Sequence, residues 1–336
     1  MTKVIQVNPD HPEVQAIEQA AAIIGQGGLV AFPTETVYGL GADAMNEPAV
    51  RRIFEAKGRP TDNPLIIHIS NREMLDLVAA DLSDQAEALI DRYWPGPLTL
   101  VLKRRTAVAS SVSAGLPTVA VRMPGNPIAL ALIGAAETPI AAPSANRSGR
   151  PSPTTAAHVR LDLEGRIAMI LDGGATRIGI ESTVLDLTGG VPVILRPGWI
   201  TKEQIAAVVG AIEPAASLAE LQRSPGTRYR HYSPRARVLL IEHGATASVE
   251  QICKEHLKTA TVGFIGHTPL AIDDARFQAM ILQAKAADYA SKIYSALREM
   301  DERGASLIII EGILDAGEGA AVMDRLRRAA SETLRE

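Results

Sequence analysis

Short apolar runs and longer amphipathic segments are interleaved along the first two-thirds of the chain. Apolar residues recur at helical spacing over 11–26, and this segment ends at a Gly-Gly pair, a usual helix stop. The run 29–32 is apolar throughout and is closed by a proline, as in a buried strand. Because strands and helices are interleaved without strict alternation, we expect a twisted, mixed sheet with helices packed on it. Further strands are predicted at 4–7, 65–69, 98–102, 119–122, 140–142, 167–171, 182–187 and 193–195, and further helices at 72–79, 83–93, 128–136 and from the N-cap Asn46 to Ala56.

The pattern changes between residues 213 and 237, where prolines are frequent and periodicity is weak. This stretch is predicted to link a first domain over 1–212 to a second domain over 238–336. The second domain repeats a strand-helix pattern, which predicts a smaller, Rossmann-like parallel open sheet. Its predicted strands are 238–241, 262–265 and 307–310, and its predicted helices are 248–257, 286–303 and 321–334.

The composition is that of an ordinary globular protein, and it excludes several classes of function. With 336 residues, 46% of them hydrophobic, each domain can bury a core of its own. The net charge of −4 creates no whole-chain attraction to nucleic acid or to anionic membranes. The single cysteine, Cys253, rules out an intramolecular disulfide and a zinc site built on thiolates. No run reaches the ~18 apolar residues of a membrane span and the N-terminus has no apolar signal core, so a cytoplasmic location without membrane attachment is predicted.

Small and hydroxyl-bearing residues follow two apolar strands, at the position where open α/β sheets bind ligands. The segment Pro-Thr-Glu-Thr-Val-Tyr-Gly-Leu-Gly (33–41) follows the strand 29–32. The segment Ile-Ala-Ala-Pro-Ser-Ala-Asn (140–146) carries a second strand into a turn, where small side chains let a ligand approach the backbone. Each segment alone also fits a plain turn, whose Thr, Ser and Asn side chains only satisfy backbone groups.

Two cations stand at a predicted helix end. Lys57 and Arg59 are two residues apart and would not share a helix face, but a chain that unwinds through Gly58 lets both reach one anion. Arg offers a planar fork for phosphate or carboxylate, and Lys offers a mobile point charge. The alternative is that these cations only complement the helix dipole, a stabilisation of roughly 0.3–1 kcal/mol. Asn63 and His68 flank the strand that follows.

Absent motifs narrow the chemistry further. The sequence has no Gly-x4-Gly-Lys-Ser/Thr phosphate loop, no His-Glu-x-x-His metal helix and no Gly-x-Ser-x-Gly nucleophile elbow. What remains is a set of hydroxyls and cations, including Arg122 and Arg196 at strand ends, without an obvious general base. This set suits electrostatic positioning in phosphoryl or nucleotidyl transfer. In the linker, basic residues alternate with Tyr229 and Tyr232, which fits either a solvated linker or a cover that stacks on a base.

Taken together, these segments resemble the threonylcarbamoyl-AMP synthases of the YrdC family. The linker run Ser-Pro-Gly-x-x-Tyr-x-His-Tyr-x-Pro, followed by a second α/β domain, is similar to the long form of that family. The resemblance covers essentially the whole chain, and it implies a YrdC-like catalytic domain, a linker that acts as a lid and a Rossmann-like C-terminal domain. The residues that carry it are Lys57-Gly58-Arg59, Ser144-Ala145-Asn146, residues 33–40, Ser182 and Arg196.

The resemblance implies a reaction in which L-threonine and bicarbonate (or CO2) give an N-carboxylated threonine that attacks the α-phosphate of ATP. The products would be threonylcarbamoyl-AMP and pyrophosphate. A downstream threonylcarbamoyl-transferase would pass the group to an adenosine beside the anticodon of a tRNA. Direct binding of tRNA by this protein is compatible with that reaction but is not required. Mg2+ is implied as part of the ATP complex, held mostly by phosphate oxygens and water, so no protein ligand for a metal is predicted.

The resemblance also implies roles for individual residues. Lys57 and Arg59 would act electrostatically during catalysis. Arg122 would pair with the carboxylate of threonine through two hydrogen bonds. The threonine site would consist of Thr36, His68, Arg122, the backbone of Ala142, and Ser182. The ATP site would consist of Arg59, Asn63, Thr118, Ser144, Asn146, Ser152, Arg196 and Tyr232.

Two other functions stand as alternatives. A non-catalytic module that binds tRNA or double-stranded RNA would show salt-sensitive binding without ATP turnover, and the net charge of −4 and the threonine-site residues count against it. A carbamoyltransferase of the hydrogenase-maturation type shares this domain but carries cysteine-rich zinc fingers, which a single cysteine disfavours.

Overall fold

Residues 1–221, 232–245 and 248–335 are described by the structure, a computed structural model, and they form two compact units. The first unit comprises the described residues of Met1–Ser148 and Ser152–Tyr229. The second comprises Gly149–Pro151 and the described residues of Arg230–Glu336. Residues 222–231 of the predicted linker, including Tyr229 and His231, lie outside the described residues.

One large mixed sheet is the framework of the first unit. Its strand order is β1-β9-β2-β3-β8-β4-β7-β6-β10-β11-β12, and β5 additionally pairs with the end of β6. Parallel and antiparallel pairs are both present. The strands are β1 (Lys3–Gln6), β2 (Val30–Phe32), β3 (Gly39–Asp43), β4 (Ile66–His68), β5 (Ala79–Ala80), β6 (Leu98–Arg104), β7 (Thr118–Arg122), β8 (Ile140–Ala141), β9 (Met169–Asp172), β10 (Thr183–Asp186), β11 (Val193–Arg196) and β12 (Glu213–Pro214).

Helices of the first unit begin where side chains satisfy their free backbone N–H groups. Asn46 accepts the N–H of Ala49, which confirms it as the N-cap of the second helix. That helix ends at Gly58, which adopts the left-handed conformation that favours glycine and turns the chain towards Arg59. The helices are α1 (Val14–Gly25), α2 (Glu47–Lys57), α3 (Arg72–Val78), α4 (Asp84–Tyr93), α5 (Pro127–Ala136), α6 (Ala156–Leu163), α7 (Lys202–Val209) and α8 (Leu218–Leu221).

The central strands divide their side chains between two apolar clusters. On one face, alternate residues of β6 and β7, such as Leu100 and Val121, join the main core with the helices. On the other face, Val101 and Ala120 belong to a separate small cluster. Successive side chains in a strand point to opposite faces, so the residues that alternate with the main core share the second face.

The second unit contains a five-stranded sheet, and every described pair in it is parallel. Helices join three of the four pairs of consecutive strands, as expected for crossover connections. Tyr232 belongs to this unit, where its ring stacks on Tyr294 at 5.3 Å and lies 5.7 Å from the guanidinium carbon of Arg325. The sheet order is β15-β14-β16-β13-β17, and the elements are β13 (Arg237–Ile241), α9 (Val249–His256), β14 (Val262–Gly266), β15 (Phe277–Ile281), α10 (Ala286–Glu302), β16 (Leu307–Glu311), α11 (Glu318–Ala329) and β17 (Glu332–Leu334).

The fold class predicted from the sequence is confirmed, and the differences concern short or weakly patterned elements. The predicted helix 321–334 is partly wrong, because its last residues form β17 alongside β13. Strand β3 was not predicted because Gly-Leu-Gly-Ala-Asp offers little apolar alternation, yet it is buried on both faces of the sheet. Elements α6, α7 and β15 were also not predicted.

Candidate active site

Hydrogen-bonded strand pairs place several predicted site residues at one end of the central sheet. His68 lies beside Arg122, because the parallel strands β4 and β7 end together. Strand β6 is antiparallel to β7 and therefore begins at that same end. Strand β10 is parallel to β6 and begins there too, so that Thr99 of β6 lies beside Val184 of β10. Arg196, the last residue of β11, lies opposite Val184. Five neighbouring strands therefore bring polar side chains together at one end of the second face.

Arg122 is at the centre of this cluster, and its guanidinium is almost fully enclosed. Its Nε donates to the carbonyl oxygen of Gly96 at 3.1 Å, and its Nη1 donates to Oγ1 of Thr36 at 3.0 Å. Its Nη2 lies 2.7 Å from Oε1 of Glu35, and the two side chains are 3% and 4% exposed. The approach is close but misaligned, since among the described residues neither Nη2 nor either oxygen of Glu35 makes a hydrogen bond. We therefore treat this pair as a Coulomb contact and not as a hydrogen-bonded fork.

His68 is held as a neutral imidazole. Burial, and then the charge of Arg122, lower the pKa of His68 from 6.5 to about 3. Its ring meets the edge of Phe32 at a centroid distance of 6.3 Å. Nδ1 is buried and has no hydrogen-bond partner among the described residues. A neutral ring with an open nitrogen can either accept or donate one hydrogen bond, depending on its tautomer.

The lowered pKa of His68 predicts a pH-dependent stability. Between pH 6.5 and about 3 the unfolded chain binds a proton at His68 that the folded chain excludes. The contribution of neutral His68 to the free energy of unfolding is therefore complete above pH 6.5 and is lost as the pH falls. For one group the free energy of unfolding changes by at most about 1.4 kcal/mol per pH unit. We expect His68→Gln to remove this dependence between pH 6.5 and 5, measured by urea unfolding, while His11→Gln at an exposed site keeps it. Identical pH profiles for wild type and His68→Gln would contradict the neutral state.

The loop between β2 and β3 supplies Thr36 to the cluster. Oγ1 of Thr34 accepts the backbone N–H groups of Thr36 and Val37 at 3.1 and 3.2 Å, so Thr34 stabilises the turn. Oγ1 of Thr36 lies 2.8 Å from that of Thr34 and accepts from Arg122. The N–H of Gly179 donates to the carbonyl oxygen of Thr36 at 3.0 Å. Thr34 therefore has the turn-stabilising role that the sequence left open for this segment, whereas Thr36 belongs to the buried cluster around Arg122.

Ser182 and Arg196 form the second part of the cluster. Nε and Nη2 of Arg196 donate to the carbonyl oxygen of Ser182 at 3.1 and 3.0 Å. The hydroxyl of Ser182 lies 2.8 Å from that of Thr99 on β6. Gly198 allows this approach, since a Cβ there would lie 2.1 Å from the backbone nitrogen of Thr183. Arg196 therefore fixes the backbone and the hydroxyl of Ser182 beside the start of β6.

Lys57 is enclosed by the turn that follows β8. Its Nζ donates to the carbonyl oxygens of Ser144 and Asn146 at 2.5 Å each and lies 3.4 Å from Oδ1 of Asn146. The hydroxyl of Ser144 donates to the same Oδ1 at 2.5 Å. Lys57 thus links the end of α2 to this turn, although the sequence alone suggested either an anion site or a helix-dipole effect. The carbonyl oxygens partly compensate the positive charge of the buried Lys57 ammonium group, and these hydrogen bonds hold the turn in place.

Several predicted nucleotide residues lie at the opposite end of the same strands. Thr118 begins β7, four residues before Arg122, which corresponds to about 13 Å at the rise of an extended strand. Asn63 precedes β4, which runs parallel to β7, and Ser144 follows β8, which runs antiparallel to β4. Nη2 of Arg59 donates to the carbonyl oxygens of residues 63 and 64 at 3.3 and 3.0 Å. These residues thus form a second group, separated along the strands from His68 and Arg122.

Ser152 joins the first group through a carboxylate. Its hydroxyl donates to Oε1 of Glu181 at 2.5 Å, and both side chains are buried. Glu181 directly precedes Ser182, and the carbonyl oxygen of Pro153 accepts the N–H of Tyr38 at 2.9 Å. The chain around Ser152 is therefore tied to the start of β10 and to the loop before β3.

The structure thus sorts the predicted site residues of the first unit into two groups. Three buried residues that the sequence did not mark as site residues also take part: Glu35 against Arg122, Thr99 against Ser182 and Glu181 against Ser152. A threonine in the apolar run Leu-Thr-Leu-Val-Leu was an available signal for Thr99. The backbone N–H of Ala142 donates to the carbonyl oxygen of Ile66, between the two ends. The first group contains Thr36, His68, Arg122, Ser152, Ser182 and Arg196, and the second contains Lys57, Arg59, Asn63, Thr118, Ser144 and Asn146.

Within residues 1–221, 232–245 and 248–335, no group of three or more His, Cys, Asp and Glu side chains is placed to hold a metal ion. In that part of the chain, none of the helices combines the length and the apolar character needed to span a bilayer.

Comparisons with known proteins give the same assignment for both units. Residues 22–198 match the family model of Sua5, YciO and YrdC proteins, described as telomere recombination. Residues 200–331 match the model described as threonylcarbamoyl-AMP synthase, C-terminal domain. The threonylcarbamoyl-AMP synthase of Pyrococcus abyssi is 49% identical over 339 residues, covering 98% of each chain. That of Bacillus subtilis is 47% identical over 321 residues, covering 94% of this chain and 92% of the relative.

A solved structure extends the likeness to the fold. The P. abyssi Sua5 protein complexed with L-threonine superposes with a TM-score of 0.93 at 46% identity, covering 99% of this chain and all of the other. The two family models cover residues 22–198 and 200–331, and the P. abyssi relative matches over nearly the whole chain. This chain belongs to the Sua5-type threonylcarbamoyl-AMP synthase family, in which a YrdC domain is followed by a Sua5 C-terminal domain.

Proposed function

We propose that this protein converts L-threonine, bicarbonate (or CO2) and ATP into threonylcarbamoyl-AMP and pyrophosphate. The observation that carries the proposal is that one buried sheet face carries polar side chains at both ends of its central strands, as Thr118 and Arg122 do at the two ends of β7, about 13 Å apart by the strand rise. Two reactants held at the two ends of the same strands meet between them, so their encounter becomes effectively intramolecular. Family membership supports this assignment of the reaction.

The threonine end is assigned to the group around Arg122. Its planar guanidinium can donate to a carboxylate. Of its three nitrogens, Nη2 is the one that makes no hydrogen bond to a described residue. Thr36 and Ser182 supply hydroxyls, and neutral His68 supplies an open ring nitrogen for the β-hydroxyl of threonine. The backbone of Ala142 completes the proposed threonine site.

The nucleotide site is assigned to the second group. Arg196 and Ser152, which belong to the first group, would contact the nucleotide from the threonine side. Attack on the α-phosphate requires the phosphates to lie between the two ends, within reach of Arg59 from one end and Arg196 from the other. Lys57 would support this electrostatically by holding the turn that carries Ser144. Tyr232, from the C-terminal unit, is proposed as a further nucleotide contact on the sequence resemblance alone.

Carboxylation of the ammonium by bicarbonate releases one water molecule and one proton to solvent, and bond making at the α-phosphorus then needs little from acid–base groups. The threonine carbamate attacks the α-phosphorus, pyrophosphate leaves, and charge develops on phosphate oxygens that cations can stabilise. Mg2+ would enter with ATP and neutralise charge on its phosphates. Arg59 and Arg196 suit a nucleotide whose ion is held by phosphate oxygens and water, so no protein ligand for Mg2+ is proposed. The product would then serve a threonylcarbamoyl-transferase that acts on tRNA in the cytoplasm.

The function is tested by pyrophosphate release from ATP, with L-threonine and bicarbonate supplied together and each left out in turn. We expect release only when both are present, together with a product of the mass of threonylcarbamoyl-AMP. Release without threonine would contradict the assigned amino-acid site. Salt-sensitive tRNA binding without any turnover would instead favour the RNA-binding alternative.

A further inference from the structure

Unsatisfied polar atoms are concentrated at one point of the threonine end. Both carboxylate oxygens of Glu35, Nη2 of Arg122 and Nδ1 of His68 are buried and make no hydrogen bond to any described residue. Each of these side chains is more than nine-tenths buried. Buried polar groups in folded proteins are normally hydrogen-bonded, and burying an ionised group without hydrogen bonds costs far more than burying a neutral one. Such a concentration marks the place where a ligand completes the bonding.

The open atoms differ in what they can bind. Nη2 of Arg122 is a cationic donor, and the two oxygens of Glu35 are anionic acceptors. Oε1 of Glu35 lies 2.7 Å from Nη2, so the positive and negative groups are immediate neighbours. An α-amino acid carries its carboxylate and its ammonium on one carbon atom. The pair is therefore the electrostatic complement of a zwitterion, with Arg122 facing the carboxylate and Glu35 facing the ammonium.

Charge balance supports the same assignment. A second acidic group beside a carboxylate substrate would weaken its binding if the substrate were a simple anion. Beside a zwitterion, the Glu35–Arg122 pair adds no net charge, and each charge of the substrate finds an opposite one in a dry site. The backbone carbonyl oxygen of Glu35 accepts the N–H of Ile178 at 2.8 Å, which holds this residue in the loop.

We propose that Glu35 binds the α-ammonium group of the amino-acid substrate and thereby restricts the site to α-amino acids. The inference rests on the proposed function, since it names the residue that selects the substrate at that same site. Glu35 acts by contact with the substrate, in addition to its contact with Arg122. Before the amine is carboxylated, this contact orients its nitrogen at the end of the face where the reaction begins.

The test compares two ligands that differ only in the amino group, L-threonine and (R)-3-hydroxybutyrate, by calorimetric titration of wild type and Glu35→Gln. Wild type should prefer threonine. In Glu35→Gln the affinity for threonine should fall by about 10- to 100-fold, the range for a lost hydrogen bond to a charged group, while the affinity for hydroxybutyrate stays equal or increases. Glu35→Asp should recover part of the threonine affinity, and Glu18→Gln at an exposed position of α1 should behave as wild type.

Each other outcome overturns the inference. Equal weakening of both ligands in Glu35→Gln would mean that Glu35 acts only by holding Arg122. An unchanged affinity for threonine would mean that it does not contact the ammonium. If Glu35→Gln does not fold, the wild-type comparison still decides, because equal affinities for the two ligands would exclude recognition of the ammonium. Failure of the proposed function would look different, since wild type itself would then neither bind threonine nor release pyrophosphate in its presence.

Discussion

Replacing Arg122 by lysine is expected to lower kcat/KM for L-threonine by on the order of 100-fold, about 3 kcal/mol. Lysine keeps the positive charge but cannot donate from Nε to Gly96, from Nη1 to Thr36 and from Nη2 to a carboxylate at the same time. The loss therefore measures the geometry of the fork and not its charge. Steady-state pyrophosphate release at varied threonine concentration provides the measurement.

The Arg122→Lys result needs two controls. Arg51→Lys changes an exposed arginine on α2, and kcat/KM for threonine should stay within twofold of wild type. The KM for ATP should change little in Arg122→Lys, because this residue lies at the opposite end of β7 from Thr118. A loss of less than threefold in kcat/KM for threonine, in a variant with unchanged thermal stability, would remove Arg122 from the proposed carboxylate site.

Replacing Arg59 by alanine is expected to reduce adenylate formation by on the order of 100-fold, with the fold intact. Arg59 is only half-buried, and its described bonds go to carbonyl oxygens of the loop, so we expect the variant to fold. The reduction should lie in kcat/KM for ATP, while the affinity for threonine in the absence of ATP is retained.

Lys57 provides the contrast to Arg59. Its ammonium group holds the backbone of residues 144 and 146, so Lys57→Met should lower both ATP turnover and the melting temperature. Arg51→Ala, on the same helix as Lys57, is the neutral comparison for both variants. Near-wild-type turnover in Arg59→Ala would refute its assignment to the phosphates of ATP, whereas a matching loss of stability would mean that Arg59 supports the loop only.

The inferences about Arg122, Arg59 and Glu35 fail independently of one another. Arg122→Lys tests the carboxylate of threonine, Glu35→Gln tests its ammonium, and Arg59→Ala tests the nucleotide. Double variants add a further check, because Glu35 and Arg122 are in contact and their effects on threonine affinity should not be additive. Arg59 and Glu35 share no partner among the described contacts, so the free-energy effects of substituting each of them should add in the double variant.

The sequence by itself determined the type of most elements and the chemical character of the site. Apolar periodicity and capping residues are local properties, which is why the strand 29–32 and the N-cap Asn46 were confirmed. The resemblance to a known family was confirmed by the comparisons over nearly the whole chain. Local patterns failed for β3, whose glycines carry no periodicity, and for β17, which exists only because β13 offers it a parallel edge.

Only the tertiary structure decided how the site residues are grouped. Strand direction and register are set by non-local pairing, and they put His68 beside Arg122 but Thr118 at the far end of the same strand. The sequence marked the segment 33–41 but did not distinguish Glu35 within it, because the contact of Glu35 with Arg122, 87 positions away, and its burial arise only in the folded chain. Charge and hydroxyl content are written in the sequence, whereas which groups are left without partners depends on how the folded chain encloses them.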